Sequence, residues 1–229
     1  MSGETSGSQA AFGRGEVSEK SVRRAARRAA MGELARAVRE LADAAVETGV
    51  TDEEIGAAAA ATRTIAASLR AKRHPGPYSG LHGPTVDHST PGGSLPLSPA
   101  FGDCNPSAPD VELWFDDDGR VAGSGRLTRR HIGPPGAAHG GVAALLADQL
   151  VAATPIPLGI VCVTESLAIR YRRPIPLDAD LVLAAACEPV GDDRVRASCT
   201  VRAGDKVCVE ADAEMVVAPQ VTAGLSRSS

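Results

Sequence analysis

The sequence predicts an α+β fold in which one antiparallel sheet covers a single apolar helix. Two observations carry this expectation. The stretch Val142-Ala143-Ala144-Leu145-Leu146-Ala147 and the residues that follow are apolar on every face, as a buried central helix must be, and Asp148 and Gln149 are the only strongly polar members. Further on, Val195, Ala197, Cys199 and Val201 alternate with Arg194, Arg196, Ser198, Thr200 and Arg202. After Gly204-Asp205, Val207, Val209, Ala211, Ala213, Met215 and Val217 alternate with polar neighbours. Strands with this period bury one face and wet the other, and such a half-buried sheet is what an all-apolar helix needs as a partner.

The other elements follow in chain order. Residues 1–16 are rich in Gly, Ser and Glu with little apolar content and read as a disordered tail. Over 17–73 the pattern is helical: Leu34, Val38, Leu41 and Ala45 recur at helical spacing, and Gly49 is a natural stop. Thr51-Asp52-Glu53-Glu54 reads as a capping box that opens a second helix through Ile55, Ile65 and Leu69, so a helical hairpin is expected. Arg23, Arg24, Arg27 and Arg28 read as a solvated, charged face.

Residues 74–109 are dense in Pro, Gly, Ser and His without a period, which reads as a wrapping arm. The main domain is expected over 110–218, followed by a flexible tail at 219–229. It begins with a hairpin, Val111 to Phe115 and Val121 to Leu127 around Asp117-Asp118-Gly119. The central helix should stop near Thr154-Pro155, because proline disfavours helical geometry in the residue before it. Strands are expected near 160–173 and 180–190, ahead of the alternating pair.

Composition narrows the function classes. Across 229 residues the net charge is −4, which gives no electrostatic case for nucleic acid. Aromatic residues make up only 3%, so the core must pack through Ala, Val, Leu and Ile. The five cysteines, Cys104, Cys162, Cys187, Cys199 and Cys208, lack Cys-x-x-Cys spacing and read as reduced buried residues, not as a zinc site. With no continuous apolar segment at the N-terminus, the expectation is a cytoplasmic protein without membrane insertion.

The chemistry-bearing segment is Gly133-Pro134-Pro135-Gly136-Ala137-Ala138-His139-Gly140-Gly141. Glycines at a helix start let a substrate approach the backbone, where free N–H groups can hold a developing negative charge. A carboxylate set in an apolar run, as Asp148 is, must be paired, lie at a polar interface or be used. His139 and Asp148 are nine residues apart. At about 1.5 Å rise per residue they lie roughly 13 Å apart along the helix, so they cannot share a hydrogen bond within it.

These residues resemble the hotdog-fold acyl-CoA thioesterases, in which His-Gly-Gly opens a central helix wrapped by a curved antiparallel sheet. The resemblance runs over about residues 105–218. It takes in the Gly133 to Gly136 segment, the acidic Asp148, and Thr164-Glu165-Ser166-Leu167-Ala168-Ile169-Arg170-Tyr171-Arg172-Arg173-Pro174-Ile175-Pro176-Leu177, which matches a threonine-opened strand ending in a basic-Pro-hydrophobic-Pro segment. It implies a hotdog fold preceded here by an N-terminal helical hairpin, and hydrolysis of an acyl thioester to free acid and coenzyme A without a metal or redox cofactor. It also implies a homodimer, or a tetramer of paired dimers, in which the glycine amides of one subunit face the carboxylate of the other.

By the same resemblance, Asp148 is a general base or a nucleophile, and Gly140, with Gly141 as the alternative, supplies the oxyanion-hole N–H. Thr164 hydrogen-bonds the carboxylate or the water, and His139 orients the loop or polarises the carbonyl. Arg170, Arg172 and Arg173 are candidates for the coenzyme A phosphates. The substrate is an acyl-CoA or an acyl carrier thioester. Alternatives on the same fold are a non-catalytic acyl-thioester-binding module and an acyl-thioester dehydratase. The chain departs from several relatives at Gly133, where they carry Asn or Gln, which shifts the expected oxyanion hole towards backbone amides. Cys104-Asn105-Pro106 resembles a shortened form of a longer segment that those relatives carry.

Overall fold

The structure is a computed structural model that describes residues 19–74, Leu81 and 90–218. The tails expected at 1–16 and 219–229, and much of the arm, lie outside the described residues. Helix α1 (Glu19–Glu47) is built from Ala, Arg, Glu and Leu, all strong helix formers, and an exposed Glu19–Arg23 pair spans its first turn. Thr51 caps α2 (Asp52–Arg70) with the expected box: the Glu54 N–H donates to the Thr51 hydroxyl at 3.3 Å, and the Thr51 N–H donates to the Glu54 carboxylate at 2.9 Å.

Helix α2 buries no residue and keeps Ile55, Ile65 and Leu69 exposed, so the two helices follow one another without packing as a close hairpin. Seven of the ten apolar side chains of α2 are alanine, and small side chains give two helices little to interlock. Helix α1 instead meets the body through its arginines, which corrects the expectation of a uniformly solvated basic face. Arg28 pairs with Asp103 at 2.9 Å, and Arg39 reaches Asp110 and the Asn105 carbonyl, each at 3.1 Å.

After the short helix α3 (Pro91–Ser94), six strands form one antiparallel sheet: β1 (Asp110–Phe115), β2 (Val121–Arg126), β3 (Cys162–Tyr171), β4 (Leu181–Val190), β5 (Arg194–Ala203) and β6 (Lys206–Val217). Their spatial order is β1-β2-β4-β5-β6-β3. Between β2 and β3 the chain makes helix α4 (Gly140–Ala153), which lies on the concave face against β3, β4, β5 and β6. Strand β2 approaches β1 so closely that a Cβ on Gly123 would sit 2.3 Å from Leu113 Cδ2, which is why this strand carries glycine.

The core is the expected one. Leu146, Ala147, Leu150 and Val151 of α4 pack with Val195, Ala197 and Val201 of β5 and with Val209, Ala211, Ala213 and Met215 of β6. Replacing Leu150, which is 1% exposed, by alanine would cost about 2–5 kcal/mol. Cys208 is buried beside Val209 because the β5–β6 register shifts between Val201 and Arg202, which strict alternation could not anticipate. The segment Gly140–Leu158 is apolar and long enough to cross a membrane by composition alone, but here it supplies the core helix beneath the sheet.

The outer sheet face is polar and laced with ion pairs. Arg194 pairs with Glu165, Arg196 with Glu188 and Glu214, Arg170 with Asp212, and Arg172 with Glu210. Water and salt screen these exposed pairs, so they set solubility and register more than stability.

Candidate active site

The loop ahead of α4 folds into a miniature hairpin. Ile132 bridges Ala138, the Gly133 N–H donates to the Ala137 carbonyl at 2.9 Å, and the His139 N–H donates to the His131 carbonyl at 2.8 Å. Gly136 turns the corner at φ +75, which few other residues adopt. The Pro174–Leu177 segment supports the loop from beneath: the Ala138 N–H donates to the Ile175 carbonyl at 2.9 Å and the Leu177 N–H to the Gly136 carbonyl at 3.2 Å. A Cβ on Gly133 would lie 2.6 Å from His139 Cα, so the turn leaves no room for the Asn or Gln side chain expected of relatives at that position.

His139 is the N-cap of α4, with φ −66 and ψ 137. Its Nδ1 accepts the Gly141 N–H at 2.9 Å, so the ring takes the capping role and Gly141, the alternative oxyanion donor, is occupied. The Gly140 N–H makes no hydrogen bond among the described residues. It stands at the positive end of a 14-residue helix, where the backbone dipoles favour negative charge. The Gly140 carbonyl accepts the Tyr171 hydroxyl at 3.2 Å, which holds the Tyr171 ring beside the free amide.

A cavity of about 340 Å³ opens at this helix start, walled by Pro134, Ala138, Ala143 and Tyr171, with Arg172 and Arg173 at its rim. Arg172 Nε donates to Glu210 at 2.8 Å, and Arg173 Nη1 donates to the Val207 carbonyl at 3.0 Å. Arg170 lies apart from them. It pairs with Asp212 at 2.6 Å and lines a separate depression on the outer sheet face, the face on which Arg172 also meets Glu210.

The other end of α4 carries Asp148. One carboxylate oxygen accepts the Thr164 hydroxyl at 3.3 Å and the other accepts the Gln149 amide at 3.1 Å. The β3–β6 register shifts between Thr164 and Ser166, directly after the hydroxyl that meets Asp148. Gln149 in turn accepts the Ser98 hydroxyl at 2.9 Å, which fastens the carboxylate's neighbour to the arm. Within one chain, then, the structure joins Asp148 to Thr164 and His139 to Gly140 and Gly141, and leaves the two groups at opposite ends of one helix.

Two of the buried cysteines are poor nucleophiles. Burial pushes the Cys104 and Cys199 thiols up to about 12, so both are protonated at neutral pH. Among the described residues, no three His, Cys, Asp or Glu side chains are grouped to hold a metal ion.

Residues 135–210 match the family described as Thioesterase superfamily. The chain carries a thioesterase superfamily domain. Human acyl-coenzyme A thioesterase THEM5 is 34% identical over 79 residues, 34% of this chain and 32% of that protein. Acyl-coenzyme A thioesterase THEM4 of Xenopus laevis is 31% identical over 81 residues, 35% of this chain and 36% of that protein. The match thus spans about a third of each of these curated relatives. The crystal structure of a thioesterase superfamily protein superposes with a TM-score of 0.69 at 29% identity, covering 81% of this chain and 90% of that one. That coverage exceeds what residues 110–218 alone can supply, so the thioesterase fold is shared together with part of the preceding chain.

The thioesterase domain adopts the hotdog fold, a curved six-stranded sheet around α4. Three residues that frame its site were not foreseen as site residues. Gln149 was visible as a polar residue in an apolar helix. Tyr171 stood inside the matched strand segment but carried no signal that it would reach Gly140. Ser98 gave no signal, because its contact with Gln149 depends on how the arm crosses α4.

Proposed function

We propose that the protein is an acyl-CoA thioesterase whose active site is completed between two copies of the chain. The observation that carries this reading is the free Gly140 N–H at one end of α4 and the Thr164-bonded Asp148 carboxylate at the other. Neither is a site alone. A second copy turned about a two-fold axis sets the amide of one subunit opposite the carboxylate of its partner. Strand β3 offers the surface for this, since among the described strands it pairs only with β6, and Val163 on it is 61% exposed.

In this reading the thioester carbonyl oxygen accepts the Gly140 N–H, and that hydrogen bond strengthens as the oxygen becomes an oxyanion. Asp148 acts in one of two ways. As general base it takes a proton from water while the water oxygen bonds to the carbonyl carbon. The carbon–sulfur bond then breaks, the sulfur of coenzyme A leaves and is protonated, and the free acid remains. As nucleophile its carboxylate attacks the carbon, expels the thiolate and forms a mixed anhydride that water cleaves. Thr164 holds the carboxylate in either route. His139 fixes the helix start, and Arg172 and Arg173 meet the coenzyme A phosphates. Arg170 has no role in this reading, because it lines the outer depression and not the cavity at the helix start.

The experiment is coenzyme A release by wild type and Asp148→Asn across acetyl, medium-chain, palmitoyl and aromatic acyl-CoAs, with the mass of each protein measured in solution. Release by a dimeric wild type that collapses in an equally dimeric variant is the expected result. Acyl-CoA binding without release in the wild type would make the domain a binding module instead.

A further inference from the structure

Asp43, on the penultimate turn of α1, reaches the loop that carries Gly140 from outside the thioesterase domain. One carboxylate oxygen accepts the Thr128 hydroxyl at 2.6 Å, and the other accepts the Arg130 guanidinium. Arg130 is 11% exposed and Asp43 25%, so this pair is shielded from water far better than the ion pairs of the outer sheet face. Arg130 also donates to the Arg39 carbonyl of α1 at 3.2 Å.

Thr128 and Arg130 belong to a single 3-10 turn that ends at the buried His131. The Thr128 N–H donates to His131 Nδ1 at 3.0 Å, and the His131 carbonyl accepts the His139 N–H at 2.8 Å. A continuous series of hydrogen bonds therefore runs from α1 to the residue directly before Gly140.

We propose that Asp43 is a positioning residue for the oxyanion amide, acting through Thr128, Arg130 and His131 on the backbone of His139. This rests on the reading of the Gly140 N–H as the oxyanion donor. Such a donor must lie within a few tenths of an ångström of about 2.9 Å from where the oxyanion forms, so the orientation of the His139–Gly140 peptide decides its worth. Two successive glycines give that peptide freedom to rotate. The His139 ring restrains it from the helix side by bonding Gly141, and the His131 carbonyl restrains it from the loop side. Asp43 holds the turn that presents this carbonyl. Helix α1 thereby gains a function in the chemistry that its distance in sequence from Gly140 would not suggest.

Arg28 supplies the control. It fastens α1 to the arm through Asp103 and the Gly92 carbonyl but has no link to the 3-10 turn. Full-length Asp43→Asn, Asp43→Ala and Arg28→Ala are compared with wild type by steady-state coenzyme A release and by amide hydrogen exchange over residues 131–145. Asp43→Ala is expected to lower kcat by roughly 10- to 100-fold, up to the lower end of the loss from deleting an oxyanion donor outright, with KM changed less than about 3-fold. Exchange at Gly140 to Ala143 is expected to quicken, Asp43→Asn to fall between, and Arg28→Ala to match wild type in both readouts.

Wild-type exchange across the loop in Asp43→Ala overturns the proposal. Equal loosening by Arg28→Ala overturns it too, since loss of α1 docking in general would then be the cause. Should Asp43→Ala fail to fold, Thr128→Val keeps the side-chain volume, removes the hydroxyl donor and carries the same two readouts. Faster exchange in an Asp43 variant of a protein that hydrolyses no acyl-CoA upholds the positioning and removes the hydrolase reading.

Discussion

The amide of Gly141 donates to Nδ1 of His139 at 2.9 Å, so the motif histidine caps the helix that its two glycines begin. An Nδ1 that accepts a hydrogen bond carries no proton, and the ring proton is then on Nε2. His139→Asn, which preserves an N-cap acceptor, is expected to keep most of the stability and most of kcat. His139→Ala should cost about 1 kcal/mol of stability. Thermal denaturation together with coenzyme A release tests this pair. A large loss of kcat in a stable His139→Asn protein would show that the ring acts on the substrate itself.

Gly140 opens α4, and its Cβ position is free, with the Tyr171 ring no nearer than 3.7 Å. Proline is well tolerated at the first helical position, where it removes only an N–H that the helix does not use. The extended backbone of His139 is the conformation that a residue before proline prefers. Gly140→Pro should therefore fold with an intact helix and lose about 10²- to 10³-fold in kcat. Circular dichroism and steady-state kinetics check both halves. Undiminished turnover would assign the oxyanion to another donor.

A site proposed to be shared between subunits makes a mixing experiment decisive. Gly140→Pro and Asp148→Asn homodimers should each be nearly inactive. Subunits unfolded together and refolded at equal concentration should recover roughly a quarter of wild-type activity, because half the dimers are mixed and each of those holds one site with both groups native. No recovery, with mixed dimers demonstrated by mass, would mean that both groups serve a site within one chain.

Burial, with the Arg130 charge beside it as the next cause, holds the pKa of His131 below its ordinary 6.5. The unfolded chain takes up a proton near pH 6.5 that the folded chain resists. Stability from this group is therefore complete above 6.5 and declines as pH falls from there towards the lowered value. Urea unfolding between about pH 7.5 and pH 5 should show a decline in wild type that is shallower in His131→Gln. Parallel profiles would remove His131 as its source.

The sheet, the central helix and its stop at Thr154 were legible because burial imposes a period on the residues: Val195 to Val201 and the run after Val142 have few other ways to satisfy their apolar faces. The Asp148–Thr164 contact was legible only through the spacing shared with a family, since nothing local to either residue points at the other. Arg170 illustrates the limit. It shares a segment with Arg172 and Arg173, yet it lines only the outer depression, while Arg172 and Arg173 also line the cavity at the helix start. The path from Asp43 to His139 was invisible for a different reason. It links positions far apart in sequence through backbone carbonyls and amides, which every residue possesses.

The strand order bears on how the molecule is made. Val121 of β2 pairs with Ala185 of β4, and between them the chain must lay down α4 and carry β3 to the opposite edge of the sheet. The β1–β2 hairpin and the β4–β5–β6 meander can each form from neighbouring residues, but the seam between them closes only after that long excursion has been confined. Refolding should therefore be limited by late, non-local pairing, at this seam and between β3 and β6, as expected for a topology of high contact order. Until that seam closes, the sheet cannot curl fully around α4, and Asp148 and Gly140 lack their final setting.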